Sequence, residues 1–196
     1  MGKSIRQKLK ETKSELVLNA VSDYFDRVGF DRPTMQEIAK AVGISVGALY
    51  KLFPSKEALY FAYIDHQIRH FHQELLQKSA AVESPRERLL LYIRLKFAAF
   101  ASKRKALEDP VLGDPLFFVK MNTRKENPAQ PIFHFLAEQF SLLHRNLPLR
   151  SEDHLQTAYL FNGYTMGQIE YWLNVGGELE SKAEEVFESF LQGIVR

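Results

Sequence analysis

The chain has 196 residues, 45% of them hydrophobic, enough to fill a substantial core, and no run of 18 or more apolar residues, which excludes a helical membrane span. It has no cysteine, which excludes disulfides and thiolate metal sites, and a formal net charge of only +2. The N-terminus lacks the charged start, apolar core and small-residue cleavage site of a secretory signal, so the expected location is cytoplasmic, with no membrane partner.

The charge is uneven along the chain. Residues 1–60 hold ten Lys/Arg against seven Asp/Glu, whereas residues 61–196 hold sixteen against seventeen. Lys3, Arg6, Lys8, Lys10 and Lys13 crowd the start against Glu11 alone, forming a basic arm that can track phosphates or simply solvate the terminus.

Apolar residues recur at helical spacing throughout, and no alternating strand pattern emerges. The first predicted helix carries Leu9, Leu16, Val17, Ala20, Val21, Tyr24, Phe25 and Val28 as one stripe and ends at Gly29. Capping boxes are predicted at Thr34–Glu37, Ser84–Glu87 and Ser181–Glu184, and Pro85 suits a first helical position. Asp109-Pro110, Asp114-Pro115 and Asn127-Pro128 mark breaks. The expectation is an all-α chain of about nine helices, near 7–28, 35–41, 45–52, 55–80, 85–103, 115–126, 129–145, 152–174 and 181–195.

The most informative stretch is residues 35–52. Two short helices that cross steeply need a small residue where they touch, and Ala39 supplies it. Their tight turn favours glycine for a left-handed backbone, and Gly43 stands four residues later. Ile38, Val42, Ile44, Leu49 and Leu52 fall at the offsets that pack both helices, and Ser45 can cap the second. An ordinary helical hairpin needs apolar faces and a turn, but not all of these in one register. The pattern therefore reads as a DNA-binding helix-turn-helix.

Thr34, Ile38, Ala39, Gly43, Ile44, Ser45, Gly47, Leu49, Tyr50, Phe53, Ser55, Lys56, Glu57 and Leu59 together resemble the TetR family of transcriptional regulators over about residues 15–60. Beyond that motif only length, helix count and topology are similar. The resemblance implies an N-terminal three-helix DNA-binding unit at 1–60, followed at 61–196 by a larger antiparallel helical ligand-binding and dimerisation domain. It implies a homodimer that binds double-stranded operator DNA and is released by a small-molecule inducer.

Val46, Gly47 and Ala48 would face base edges, offering close approach and contact to thymine methyls. Lys51 can read guanine acceptors or hold a phosphate, and Gln36 is a second candidate for base contact. Tyr50 matches the family tyrosine that binds phosphate. Lys56, in the first turn after Ser55, matches the phosphate-binding lysine, where the helix dipole adds to its charge. Thr34 and Ser45 offer similar N-terminal contacts. One departure is Leu52, where many relatives carry His or Tyr; a phosphate contact is missing there, and the basic arm could compensate.

After residue 60 no catalytic constellation appears: no Gly-rich phosphate loop, no Gly-x-Ser-x-Gly elbow and no cysteine nucleophile. No enzymatic activity and no cofactor are expected. His66 and His70 are four apart on one helix, with His72 nearby, but no metal site is assigned to them. Fifteen Phe and eight Tyr favour a roomy apolar pocket, for an apolar or amphipathic ligand. His72, Phe97, Phe117, Met121 and Met166 are its candidate lining. Asn162 and Gln168 are its polar groups, and Lys120 and Arg124, one turn apart, could receive an acidic head. Gly163 and Gly167, also one turn apart, would let another helix approach closely. With Leu155, Tyr171, Phe187, Phe190 and Ile194 they form the expected pairing face. The alternatives from other classes are a helical-cavity carrier or enzyme, a protein-binding scaffold, or an activator of the same fold.

Overall fold

The computed structural model describes residues 4–30, 32–104 and 127–196. Those residues form α1 (Ile5–Val28), α2 (Met35–Ala41), α3 (Val46–Leu52), α4 (Lys56–Ser79), α5 (Pro85–Ser102), α6 (Gln130–His144), α7 (His154–Val175), a 3-10 turn (Glu180–Lys182) and α8 (Ala183–Ile194). Among the described residues there is no strand, only an isolated antiparallel bridge between Leu149 and Val195. The chain is all-α, as the periodicity predicts. The predicted helix at 115–126 and the breaks at Asp109 and Asp114 lie outside the described residues.

Contacts divide the described chain into two compact units, one ending at Arg69 and the other beginning at His70. The first unit has its own core of Val17, Leu18, Val21, Phe25, Phe30, Met35, Ile38, Ala39, Leu49, Phe53, Leu59, Tyr60, Tyr63 and Ile64. Phe25 anchors it, with the rings of Phe30 and Tyr63 meeting it edge-on at 5.3 Å. Side-chain bonds from His66 to Asn19 (2.9 Å) and from Gln67 to Ser22 (3.0 Å) tie α4 to α1.

The start of α1 departs from expectation. Ser4 caps the helix, which begins at Ile5, two residues before the expected start, so Arg6, Lys8, Lys10 and Lys13 all project from a helix. Leu9 and Leu16, predicted in the buried stripe, are exposed, as is Ile5. The buried stripe begins only at Val17, where α1 meets the rest of its unit.

In the second unit α6, α7, α5 and α8 surround a core centred on Phe161, whose ring touches those of Tyr92, Phe140, Phe187 and Phe190. Ion pairs Arg86–Glu188 and Arg94–Glu184 join α5 to α8 at the surface. Two predicted capping boxes do not form. Ser84 precedes Pro85 as expected, but its side chain makes no cap bond. At Ser181 the chain makes a 3-10 turn instead, and α8 begins at Ala183.

Candidate nucleic-acid interface

The turn between α2 and α3 is built from backbone chemistry. Gly43 has φ +75°, in the left-handed region that favours glycine. Its N–H donates to Lys40 O at 3.3 Å and the N–H of Ile44 to Ala39 O at 3.0 Å, a paired closure that satisfies the last carbonyls of α2. Ala39 is buried at the crossing. Thr34 opens α2 with a complete capping box: Glu37 N donates to its Oγ1 at 3.3 Å, while its own N–H and O–H donate to the Glu37 carboxylate at 2.7 and 2.8 Å. These bonds favour the ionised form and hold the Glu37 carboxyl below the usual carboxylate range. Ser45 opens α3 by accepting from Ala48 N at 3.2 Å.

Helix α3 is anchored by Leu49, fully buried, with Leu52 packed partly against the same core. Opposite that anchor, Ser45, Val46, Gly47, Tyr50 and Lys51 are exposed, and Ala48 is half-buried. Tyr50 keeps 48% of its surface, so it is not an aromatic packed beneath the helix. Thr34 and Gln36 are exposed at the start of α2. Ser55 caps α4 by accepting from Ala58 N at 3.0 Å. Lys56 follows, its Nζ 4.8 Å from the centre of the Phe30 ring, which steers the cation along that aromatic face. All nine residues singled out for DNA contact thus lie in the first unit, seven of them exposed. Leu52 contributes to packing and offers no polar group to a phosphate.

The second unit sorts the other expected residues differently. Phe97 is fully buried core. His72, Met166 and Gln168 are half-buried, and burial lowers the affinity of His72 for a proton. Asn162 is half-buried and accepts bonds from Tyr92 and Lys96, both at 2.8 Å. Phe117, Lys120, Met121 and Arg124 lie outside the described residues. On α7, Leu155, Gly163, Gly167 and Tyr171 are exposed, along with Tyr159, Leu160 and Tyr164. Phe187 and Phe190, expected on the pairing face, are buried against Phe161 and belong to the core of their own unit; Ile194 is half-buried. An amphipathic stripe cannot distinguish a face turned to its own core from one turned to a partner.

Sequence reasoning missed Lys96. It is 6% exposed on α5, donating to Asn162 O (3.2 Å), Asn162 Oδ1 (2.8 Å) and Thr165 Oγ1 (2.8 Å), with Nζ 5.5 Å from the Tyr92 ring centre. Burial lowers its ammonium from 10.5 to about 7. The available signal was positional: a lysine falling among Leu89, Tyr92, Ile93 and Phe97, on the buried side of a helix.

Comparison with known proteins bears on the first unit most directly. The family model described as "Bacterial regulatory proteins, tetR family" matches residues 17–63. An uncharacterized HTH-type transcriptional regulator of Mycobacterium tuberculosis is 38% identical over 89 residues, covering 43% of this chain and 44% of that protein, less than half its length. The fatty acid degradation regulator FadR of Bacillus halodurans superposes with a TM-score of 0.72 at 16% identity, covering 91% of this chain and 98% of that one. FadR of Bacillus subtilis, solved in complex with stearoyl-CoA, superposes with a TM-score of 0.65, also at 16% identity and over 91% and 98% of the two chains. At such identities the two structural likenesses are of fold. The match to residues 17–63 falls on a helix-turn-helix of this geometry, so this part of the chain is similar to the TetR family of bacterial regulatory proteins.

Proposed function

We propose that this protein is a transcriptional repressor that binds a palindromic operator as a homodimer and is released by a small amphipathic inducer. The observation that carries the reading is α3. Its apolar side is locked into a core by Leu49, its entry is held by the Gly43 turn and Ser45 cap, and its other side presents small residues flanked by Tyr50 and Lys51. A rigid helix with small residues at its N-terminal end suits the major groove, with Tyr50 and Lys56 on flanking phosphates. The DNA-binding part is assigned to residues 1–60 and the sensing and pairing part to 61–196.

Pairing follows from function: two reading helices must meet successive major grooves, roughly 34 Å apart. The exposed side of α7, with Leu155, Tyr159, Gly163, Gly167 and Tyr171, is the surface assigned to it. For the inducer, support comes from Lys96 and from the acyl-CoA bound by the Bacillus subtilis FadR. Among its bonds Lys96 has only neutral acceptors, so an inducer with an acidic group would supply the missing counter-charge. The inducer acts by preferring a conformation in which α4 has tilted, and it weakens DNA binding only by its difference in affinity for the two states.

The test is binding to DNA from beside the protein's own gene across a salt series, with wild type beside Tyr50→Phe and Lys56→Ala. Tight, palindrome-selective binding that falls steeply with salt and weakens in both variants is the expected result. Weak binding indifferent to sequence would overturn the reading.

A further inference from the structure

Ten residues apart in sequence, His144 ends α6 and His154 begins α7, a spacing that matches no helical ligand pattern. The fold brings them together. His144 Nδ1 and His154 Nε2 are 2.9 Å apart, with the rings edge-on at 89°. Glu152 is close by as well, with a carboxylate oxygen 3.8 Å from His144 Nε2, the ring nitrogen that does not face His154, so it must swing round to join the pair. One donor atom from each of the three residues lies within 4.8 Å of the other two. We propose that His144, Glu152 and His154 form a binding site for a divalent first-row transition cation of the zinc type.

The donor set selects the class of ion. Two imidazoles and one carboxylate suit zinc, cobalt or nickel, whereas magnesium and calcium prefer oxygen alone. The geometry is close to what such an ion needs. Two nitrogens at ~2.0–2.1 Å from a tetrahedral ion are ~3.3 Å apart, so the imidazoles need separate by only about 0.4 Å. Their present contact uses one ring N–H as donor to the other ring's lone pair; when the ion binds, the donor ring changes tautomer, its proton moving to its other nitrogen, and both facing nitrogens present lone pairs to the metal. Glu152, with a side chain 78% exposed, can swing to close the third position, releasing a 3.9 Å ion pair with Arg196 that is exposed and therefore weak. Solvent would complete the shell.

The frame around the site is fixed. Both histidines are half-buried, at helix ends. The connecting segment is pinned to the end of α8 by Arg150 N to Ile194 O (2.7 Å) and Arg196 N to Pro148 O (3.1 Å). Asp153 is not a ligand, because its carboxylate caps α7 by accepting from Gln156 N at 2.8 Å. A bound ion would cross-link the end of α6 to the start of α7.

The experiment uses the full chain without a polyhistidine tag, stripped with chelator and titrated with Co²⁺ and then Zn²⁺. One Co²⁺ per chain, with the intense visible bands of a tetrahedral site that Zn²⁺ abolishes, is the expected result. Zn²⁺ should also raise the thermal midpoint. His144→Ala and His154→Ala should each weaken binding by about 100-fold, and Glu152→Gln by about 10-fold. Glu152→Gln changes an exposed side chain, so it reports on the site even if a histidine variant fails to fold. His66→Ala/His70→Ala should bind as wild type does. No Co²⁺ bands and no binding of either ion at ~100 µM in wild type would overturn the proposal, as would unaltered binding in folded site variants or loss of binding in the His66/His70 control.

Discussion

Lys96 Nζ donates a 2.8 Å hydrogen bond to Thr165 Oγ1, between two side chains that are both buried in the second unit. A cation so placed is satisfied in its hydrogen bonds but not in its charge, and desolvation lowers its ammonium to about 7.

Stability should follow that proton. Between pH 7 and 10.5 the unfolded chain still holds a proton that folded Lys96 has lost, so stability rises with pH across that window. Below pH 7 both states are charged, and the burial penalty stands in full. Lys96→Met removes the effect without orphaning its partners, because Asn162 Oδ1 keeps the Tyr92 hydroxyl and Asn162 O keeps the Thr165 hydroxyl. Urea unfolding at pH 6, 8 and 9.5 should show a wild-type rise on the order of a few kcal/mol that the variant lacks. Parallel pH curves for the two proteins would contradict this.

Gly43 and Gly47 should respond oppositely to alanine. An added Cβ meets nothing within 4 Å at either position, so space does not decide the outcome. Gly43→Ala must place a side chain at φ +75° and should lose about 1–2 kcal/mol. Gly47→Ala stands within α3 and should gain about 0.5–1 kcal/mol from helix propensity. In the proposed function its methyl group meets DNA, so a stabilised protein that binds operator less well is the expected combination. Chemical denaturation beside operator titration checks both.

Lys51→Ala separates two roles for an exposed lysine. If Lys51 holds a phosphate, affinity falls alike for all sequences and the salt dependence drops by about one counterion. If it reads a guanine, discrimination at one base pair relaxes, by about 1–3 kcal/mol. Titrations of the operator and of single-site variants at three salt concentrations decide between them, and an unchanged affinity would remove Lys51 from the interface.

Gly163→Leu and Gly167→Leu test the pairing surface. Neither added Cβ meets an atom of its own chain within 4 Å, so the protomer should stay folded. If a second helix packs closely there, the larger side chains should lower dimer affinity by at least about 10-fold, as sedimentation velocity would measure; dimers of wild-type strength would move the interface elsewhere.

The helix-turn-helix was legible because its signals are local. Ala39, Gly43, Ser45 and Leu49 lie within eleven positions of one another, and each answers a requirement of backbone geometry or of immediate packing. The same locality made the Thr34 capping box readable. It failed at Ser84 and Ser181, where the residue pattern is right but no side-chain cap forms.

The sequence by itself determined the all-α class, most helix boundaries to within about two residues, and the turn and caps of the helix-turn-helix, because helical periodicity and caps act over a single turn. Only the tertiary structure decided which stripe faces which neighbour. It buried Phe187 and Phe190 within their own unit, left Leu9 and Leu16 in solvent, closed Lys96 among neutral acceptors and set His144 against His154. Each of those outcomes depends on contacts between helices far apart in the chain, and a stripe of apolar residues records that a face is covered without recording by what.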